Sequence, residues 1–465
     1  MIGLLHPDAR LVDAANGATL SGVDLHGRVA DLAAALDREP PGMVLAAMPT
    51  TVAAVLRFLA ALHANRPIAL VDPRTDGVRL AELADRFRPA VLFGDTGLIP
   101  GYRPGPDRQL GCCQRRTGEA GQVPHPDLAL LLTTSGSTGN PKLVRLSRAA
   151  VLANTAAIGA ALGLDGDEVA PTSLPLHYTY GLSVVTSHLR VGATVVVEES
   201  PLTTRDFWSS MDRNRITSLA AVPYQYEMLR RLRFAPDRHP RLRTLTQAGG
   251  RLNPDLVEDF HRRMAAVGGR LFVMYGQTEA TARMTVLPAE RLPAKLGSVG
   301  VPVRGGAIAI NPGDGSETTD PGRTGEIIYR GANVMMGYAE TAADLARGDE
   351  LGGVLRTGDL GRLDDEGFLY ITGRTKRIAK IFGVRVNLED VERSLAQHGP
   401  LAAVAGPDRL VLVVEGADDD RLARIRAEAA ASLDTHSSGI LVRGVDALPL
   451  TPTGKPDYRA LEDRC

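Results

Sequence analysis

Three cysteines in 465 residues are too few to hold together a secreted, disulfide-dependent fold. Cys112 and Cys113 are adjacent and Cys465 is the last residue, so none has the spacing of a metal-ligand set. No apolar run approaches the roughly 18–20 residues that a membrane-spanning helix needs. The opening Met1-Ile2-Gly3-Leu4-Leu5-His6-Pro7 lacks the basic region and long apolar core of a secretory signal. These absences together give the expectation of a cytoplasmic protein. A formal net charge of -1 leaves no electrostatic footprint for nucleic acid or an anionic membrane surface. No internal repeat or low-complexity tract is evident, and the 49 glycines and 30 prolines are scattered as turns and loops.

What is present is a globular composition, 44% hydrophobic and 23% charged, in a chain long enough for two or three lobes. The first half alternates strand-like apolar runs with helical patterns, which points to βαβ units and a largely parallel sheet. Met43 to Met48 reads as a buried strand, Val52 to Leu62 as a helix and Pro67 to Val71 as the next strand. Val91 to Gly94 reads as a strand closing that layer, and Asp95 to Pro126 as an exposed connection. A second α/β stretch begins at Leu128, with strands at Leu128–Leu132, Thr194–Val197, Ser218–Val222 and Leu271–Met274. From Gly297 to Tyr370 the texture becomes that of short antiparallel hairpins with tight turns such as Asp365-Glu366-Gly367. The last 90 or so residues read as a small α+β unit. In it Asn387 caps a helix with Leu388, Val391 and Leu395 on its apolar face, Val411–Val414 is a strand, and Leu422, Ile425, Ala429 and Leu433 form a second stripe.

The most informative segment is Thr133-Thr134-Ser135-Gly136-Ser137-Thr138-Gly139-Asn140-Pro141-Lys142. It follows an apolar strand and reads as preceding a helical run, a position where α/β proteins bind phosphates. Gly136 and Gly139 allow close backbone approach to an anion. Hydroxyls of Thr134, Ser135, Ser137 and Thr138, with loop N–H groups, can donate to phosphate oxygens, and Lys142 adds a cation. A Walker A loop is excluded, because Asn140 and Pro141 separate the second glycine from the lysine and no Ser or Thr follows it.

With this loop the sequence resembles the superfamily of acyl-CoA synthetases, nonribosomal-peptide adenylation domains and luciferases, nearest in motif to the acyl-CoA synthetase branch. Four further motifs stand in the family's order: Tyr275-Gly276-Gln277-Thr278-Glu279, Arg356-Thr357-Gly358-Asp359, Gly373-Arg374-Thr375-Lys376-Arg377 and Pro452-Thr453-Gly454-Lys455. The resemblance implies an α/β fold, with a large multi-lobed adenylating domain of mostly parallel sheets and an antiparallel subdomain over 1–375. A small mobile α+β lid would follow over 376–465. About 130 residues precede the phosphate loop, fewer than is typical of the family.

By the same resemblance ATP and Mg²⁺ are the expected ligands. Glu279 would bind Mg²⁺, Thr278 would donate to the α-phosphate, and Tyr275, with Gly276 and Gln277, would face the adenine. Gln247-Ala248-Gly249-Gly250 resembles the small-residue segment that makes room for adenine and acyl group, with Gly249 and Gly250 assigned to the nucleotide. Asp359 and Arg374 would grip the ribose hydroxyls. Lys455 would enter the site during adenylation and stabilise charge on the α-phosphate. Lys376 would be the hinge of the lid, Lys380 a catalytic group of its second face, and Gly383 part of a tunnel for the acceptor. Arg377 and Phe382 depart from the commoner pattern there.

For the acid, the resemblance brings His177, Tyr178, Tyr180, Gly181, Tyr224 and Gln247 to the acyl pocket. No Asp lies between Asp167 and Asp206 to meet a substrate ammonium, which argues against an α-amino acid. The aromatics suit an aryl, short-chain or hydroxylated acid, and packing of the pocket wall is an equal use for them. The leading reading is activation of a small carboxylic acid as its acyl-adenylate, then transfer to a pantetheine thiol of CoA or of an acyl carrier protein. An amide-forming ligase and a catalytically inactive nucleotide- or acyl-adenylate-binding homologue are the alternatives.

Overall fold

A computed structural model of the chain describes residues 3–94, 99–105, 113–117, 122–133, 142–374, 377–381, 384–406, 409–433, 435–451 and 454–463. Contacts divide the chain into two units, one of Met1–Ala307 with Tyr329–Leu355 and one of Ile308–Ile328 with Arg356–Cys465. The fold is mixed α/β: the sheets of the first unit combine parallel centres with antiparallel flanks, and the second unit holds antiparallel hairpins and an α+β part.

The first unit's largest sheet has eight strands. Its parallel centre is Val91–Phe93, Val44–Ala47, Ile68–Val71 and Leu128–Thr133. These runs are apolar at nearly every position because both faces are covered, so they show no alternation. The helices Val52–His63 and Gly77–Phe87 connect the central strands. Thr51 Oγ1 and Asp76 Oδ1 cap them by accepting the N–H groups of Ala54 and Arg79 at 3.2 and 2.8 Å.

Two sequence expectations are corrected in this sheet. Val91–Phe93 does not close the layer, because Cys113–Arg116 pairs antiparallel beside it and Tyr102–Pro104 beside that. The supposed connection over 95–126 therefore carries two strands, hidden by their shortness and by their Gly, Pro and Arg content. The phosphate loop is followed by a strand, Leu143–Ser147, which pairs antiparallel with Leu128–Thr133. The helix Arg148–Leu162 starts only after it. Leu143-Val144-Arg145-Leu146 is too short to separate from the helix by pattern alone.

A second sheet runs Ser218–Ala221, Thr244–Gln247 and Arg270–Tyr275 in parallel, then Thr285–Leu287 and Val301–Pro302 antiparallel. A third joins Arg10–Asp13 in parallel to Thr194–Val197, so the start of the chain is built into the unit. In the second unit the hairpin Val354–Leu363 and Leu369–Arg374 turns at the expected Asp365-Glu366-Gly367. Leu401–Gly406, Arg409–Glu415 and Ile440–Val445 form a sheet under the helices Leu388–Ser394 and Asp419–Ser432. Leu388, Val391, Leu395, Ile425 and Ala429 are all buried there, as their periodicity predicts.

Arg145, fully buried on Leu143–Ser147, holds the segment 336–350 against the sheet edge. Its guanidinium donates to the carbonyls of Met336 at 3.1 Å, Tyr338 at 3.2 Å and Gly348 at 3.2 Å, and also to the Arg347 carbonyl and the Glu350 carboxylate. Burial pulls its pKa down and Glu350 opposes that fall. Arg145→Met removes the cation and all of its hydrogen bonds, while the Met336 carbonyl keeps the Glu350 N–H and the Glu350 carboxylate keeps Arg347. The expected loss is about 3–5 kcal/mol in urea unfolding. A loss below about 1 kcal/mol would mean that the segment is held by other contacts.

Candidate active site

The strand Arg270–Tyr275 delivers the segment that carries Glu279. After Tyr275 the chain turns at Gly276, where an added Cβ would lie 1.7 Å from the Ala282 carbonyl oxygen, so the glycine is required by close backbone approach. Thr278–Ala280 forms a short 3₁₀ turn. Thr281 then takes φ +65° and ψ −62°, and the Ala282 N–H donates to the Ala280 carbonyl at 2.7 Å. This is a γ-turn with positive φ, a strained conformation for a β-branched residue.

Side chains remote in sequence hold that turn. Asn154 Nδ2 donates to the Arg283 carbonyl at 2.7 Å, and its Oδ1 accepts the Arg283 N–H at 3.1 Å. Asn333 Nδ2 donates to the carbonyls of Ala280 at 2.9 Å and Arg283 at 3.1 Å. Thr281 Oγ1 donates to the Asn333 carbonyl at 2.8 Å, and Thr179 Oγ1 donates to the Thr281 carbonyl. None of these roles is legible in the sequence, since no motif marks Asn154 or Asn333.

Glu279 stands at the rim of this arrangement, partly exposed, with Oε1 accepting the Tyr338 phenol at 2.8 Å. Burial, the Glu279 charge and this hydrogen bond all push the Tyr338 pKa up, so the phenol stays a donor at neutral pH. Lys142 Nζ lies 5.9 Å from the Tyr338 ring centroid and pairs with Glu340 at 2.6 Å. Lys142, Tyr338 and Glu279 are therefore neighbours, joined through a tyrosine that sequence reasoning missed. Thr134, Ser135, Gly136, Ser137, Thr138 and Gly139 lie outside the described residues. Among the described residues no cluster of three metal-binding side chains exists. One partly exposed carboxylate is a donor set that fits Mg²⁺ arriving with phosphate and water ligands, and does not fit a closed protein cage.

Tyr178 lies against Gly249, and Gln247 bonds to the neighbouring Gly250. At φ +85°, Gly249 has the Tyr178 hydroxyl 2.4 Å and the Val222 Cγ1 3.1 Å from where a Cβ would sit. Gly250 faces Pro223, and Gln247 Nε2 donates to the Gly250 carbonyl at 2.8 Å. Burial pushes the Tyr178 phenol up to about 12, and its ring meets Tyr180 edge-on at 6.3 Å. Tyr180 is fully buried, with its hydroxyl 2.9 Å from the Thr246 carbonyl. Gly181 allows its helix to pass the backbone of Leu174 and Pro175, which a Cβ would strike at 2.3 Å. His177 Nε2 lies 3.6 Å from Asp72 Oδ2, and Asp72 is held by Arg74 at 2.8 Å. Burial lowers the His177 pKa against the pull of Asp72, which keeps the ring neutral at pH 7. Its Nδ1 is buried without a hydrogen-bond partner. Tyr224 is exposed at the start of the helix Pro223–Arg231.

In the second unit Asp359 and Arg374 are cross-strand partners, with Nε 2.7 Å from Oδ1. Asp359 is buried, while Arg374 is half exposed and reaches Glu389 at 3.9 Å. Burial raises the Glu389 pKa, and Arg374 and Arg377 oppose that rise. Lys455 ends a tight turn in which the Thr451 N–H donates to the Lys455 carbonyl at 2.7 Å and the Lys455 N–H to Thr451 Oγ1 at 3.2 Å. Lys376, Gly383 and the Lys380 side chain lie outside the described residues, although the Lys380 backbone pairs with Arg385.

Arg377, the departure noted in sequence, has a clear structural role. It donates to both Glu392 oxygens at 3.0 and 2.8 Å and to the Ala403 carbonyl at 2.7 Å, and it stacks 3.8 Å over the Tyr458 ring. Tyr458 in turn donates to Glu392 Oε2 at 3.3 Å. A double-mutant cycle of Arg377→Met and Glu392→Gln in urea unfolding should give a coupling of about 1–3 kcal/mol. Additive losses would show that the two side chains are not energetically linked.

The AMP-binding enzyme family matches residues 5–339 of the chain. The chain is 31% identical to isonitrile lipopeptide synthase of Streptomyces coeruleorubidus over 96% of its own length but only 32% of that protein's, so it spans about a third of that relative. It is 28% identical to oxalate–CoA ligase of Arabidopsis thaliana, over 84% of this chain and 81% of that one. Structures of o-succinylbenzoate CoA synthetase from Bacillus subtilis share the fold. The acyl-adenylate complex has a TM-score of 0.78 at 22% identity, covering 97% of this chain and 95% of that one. The complex with ATP and magnesium ion has a TM-score of 0.77 at 22% identity, covering 97% and 96%. With a family match over residues 5–339 and the Glu279 motif set on its strand end, the chain belongs to the AMP-binding enzyme family.

Proposed function

We propose that the protein activates a carboxylic acid with ATP, releasing pyrophosphate and forming an acyl-adenylate, and passes the acyl group to a pantetheine thiol of CoA or a carrier protein. The observation that carries this reading is the strained, side-chain-clamped turn presenting Glu279 beside Tyr338 and Lys142. Strain maintained by several remote hydrogen bonds is characteristic of functional sites. Family membership and the solved relative with ATP and magnesium support the choice of ligands.

In this reading Glu279 would hold Mg²⁺, which would neutralise the phosphates, with Tyr338 orienting the carboxylate. Lys142, Thr278 and the 134–139 loop would bind phosphate oxygens. Tyr275, Gly276, Gln277, Gly249 and Gly250 would take the adenine side of the nucleotide. Asp359 and Arg374 would take the ribose. The acid would lie against His177, Tyr178, Tyr180, Gly181, Tyr224 and Gln247, and its carboxylate oxygen would attack the α-phosphorus as the bond to pyrophosphate breaks. Lys455 would stabilise the charge that builds on the α-phosphate. Residues 376–465 would turn about Lys376 as a lid, so that Lys380 and Gly383 face the incoming thiol.

The test is pyrophosphate release over a panel of carboxylic acids, with CoA, a holo-carrier protein or amines added separately. Acid-dependent release is expected, with thiol acceptors consuming the adenylate. Lys455→Ala should slow release by about 10²-fold or more without lowering thermal stability. If no acid supports release, the adenylation reading fails. Consumption by amines alone would make the protein an amide-forming ligase.

A further inference from the structure

Arginine is concentrated in one short stretch of the first unit. Arg230 to Arg243 carries six arginines and one acid, Asp237, in 14 residues, whereas the whole chain has 53 lysines and arginines in 465. Arg230 pairs with Glu227 at 2.7 Å and Arg243 with Glu168 at 3.3 Å. Arg231, Arg233, Arg238 and Arg241 are exposed and have no ion-pair partner among the described residues. Arg215, also exposed and unpaired among them, adds a further guanidinium from the turn before the strand Ser218–Ala221. The Arg243 N–H donates to the Thr217 carbonyl at 2.7 Å, which brings the two segments side by side.

These charges stand on a fixed base. Phe234 is buried with its ring centroid 5.6 Å from that of Trp208, and the His239 ring lies 5.0 Å from Trp208 and 6.0 Å from Phe234. His239 Nδ1 is 2.8 Å from Asp212 Oδ1, which commits the carboxylate of the turn that ends at Arg215. Arg263 Nη1 donates to the Phe234 carbonyl at 2.9 Å. Like charges held together without counter-charges repel one another, and an anionic partner relieves that repulsion. Leu232, 45% exposed, is flanked by Arg231 and Arg233. Exposed apolar surface among arginines suits a protein interface, and the phosphates of CoA would not engage it.

One helix joins this patch to the candidate site. Pro223–Arg231 has nine residues and so spans about 14 Å. Tyr224, exposed in its first turn, is assigned above to the acid, and Arg231 ends it. Tyr224, Met228 and Arg231 share one helix face by their spacing. We propose that Arg215 and the arginines of 231–241 form the docking surface for an acidic carrier protein, placed one helix length from the acyl-adenylate. The carrier's pantetheine sulfur would attack the acyl carbonyl; the thioester forms as the bond to AMP breaks, and the thiol proton passes to solvent. This rests on the acid-activating reading given above, and it narrows the acceptor to a carrier protein.

The test uses the full chain with a panel of purified acidic carrier proteins that lack tryptophan, and CoA as the competing acceptor. Trp208 is the chain's one tryptophan, so its emission reports binding at the patch. An apo-carrier should shift that emission saturably, with an affinity that falls as salt rises. In the triple variant Arg231→Gln, Arg233→Gln, Arg238→Gln, the KM for the holo-carrier should rise by about 10-fold or more. Turnover with CoA, pyrophosphate release and melting temperature should be unchanged. An equal loss with CoA and carrier, or acylation of CoA and of no carrier, overturns the docking surface while adenylation stands. An emission shift given as readily by duplex DNA or phosphatidylglycerol vesicles overturns a carrier as the occupant. A carrier-induced shift that is lost in the variant, with no pyrophosphate released from any acid, upholds the docking surface and removes the adenylation reading. Neither a shift nor turnover of any acid overturns both.

Discussion

Asn154 and Asn333 between them make four hydrogen bonds to the backbone of Ala280 and Arg283, across a turn whose central residue has left-handed φ. The strain at such a position costs about 1–3 kcal/mol. Buried hydrogen bonds each return about 1 kcal/mol net, and leaving any one of these carbonyls unpaired would cost more than that. The turn is therefore over-determined by its surroundings. Its sharpness places Glu279 at a partly exposed rim and Arg283 in the interior, although only three residues separate them.

The same logic extends outward through the edge strand Gly337–Ala339. Tyr338 reaches Glu279 from a strand that pairs antiparallel with Leu143–Ser147 and that the Arg145 side chain also holds, together with the loop after it. A Cβ at Gly337 would lie 2.7 Å from Arg145 Nη2, so the glycine and the buried guanidinium need each other. Lys142 immediately precedes the strand that carries Arg145, and its partner Glu340 immediately follows the strand that carries Tyr338. Backbone pairing and a buried arginine thus both hold together the strands that flank Lys142 and carry Tyr338.

What could be read from sequence follows from where each signal resides. The hairpin turn at Asp365 to Gly367 was legible because neighbouring residues carry the whole message, and the same locality let Tyr275 to Glu279 be picked out as a motif. The central strands and the two helical stripes of the small unit were legible because burial imposes apolar periodicity. Leu143–Ser147 was lost because five residues of strand merge into a helix that starts at the next residue. Arg10–Asp13 was lost because its partner is Thr194–Val197, far along the chain. Tyr338, Asn154 and Asn333 were illegible for the same reason, since each acts on residues 50 or more positions away. Arg283 was visible as a letter, but only folding revealed that it is buried, with no carboxylate among the described residues within ion-pair distance.

The small unit turns a sequence anomaly into a mechanical link. Arg377 directly follows the proposed hinge residue, Lys376, and it is fixed to Glu392 and stacked on Tyr458. Tyr458 opens the helix that begins three residues after Lys455, and Leu450 and Pro456 bridge the base of the lysine's turn. Side chains packed this closely move as one body. If residues 376–465 turn about Lys376 as proposed, Arg377, Glu392 and Tyr458 would tie the start of that segment to the helix beside the Lys455 turn. An acidic residue at 377 would face Glu392 and would break that tie by like-charge repulsion, which gives the departure from the commoner pattern a physical reason.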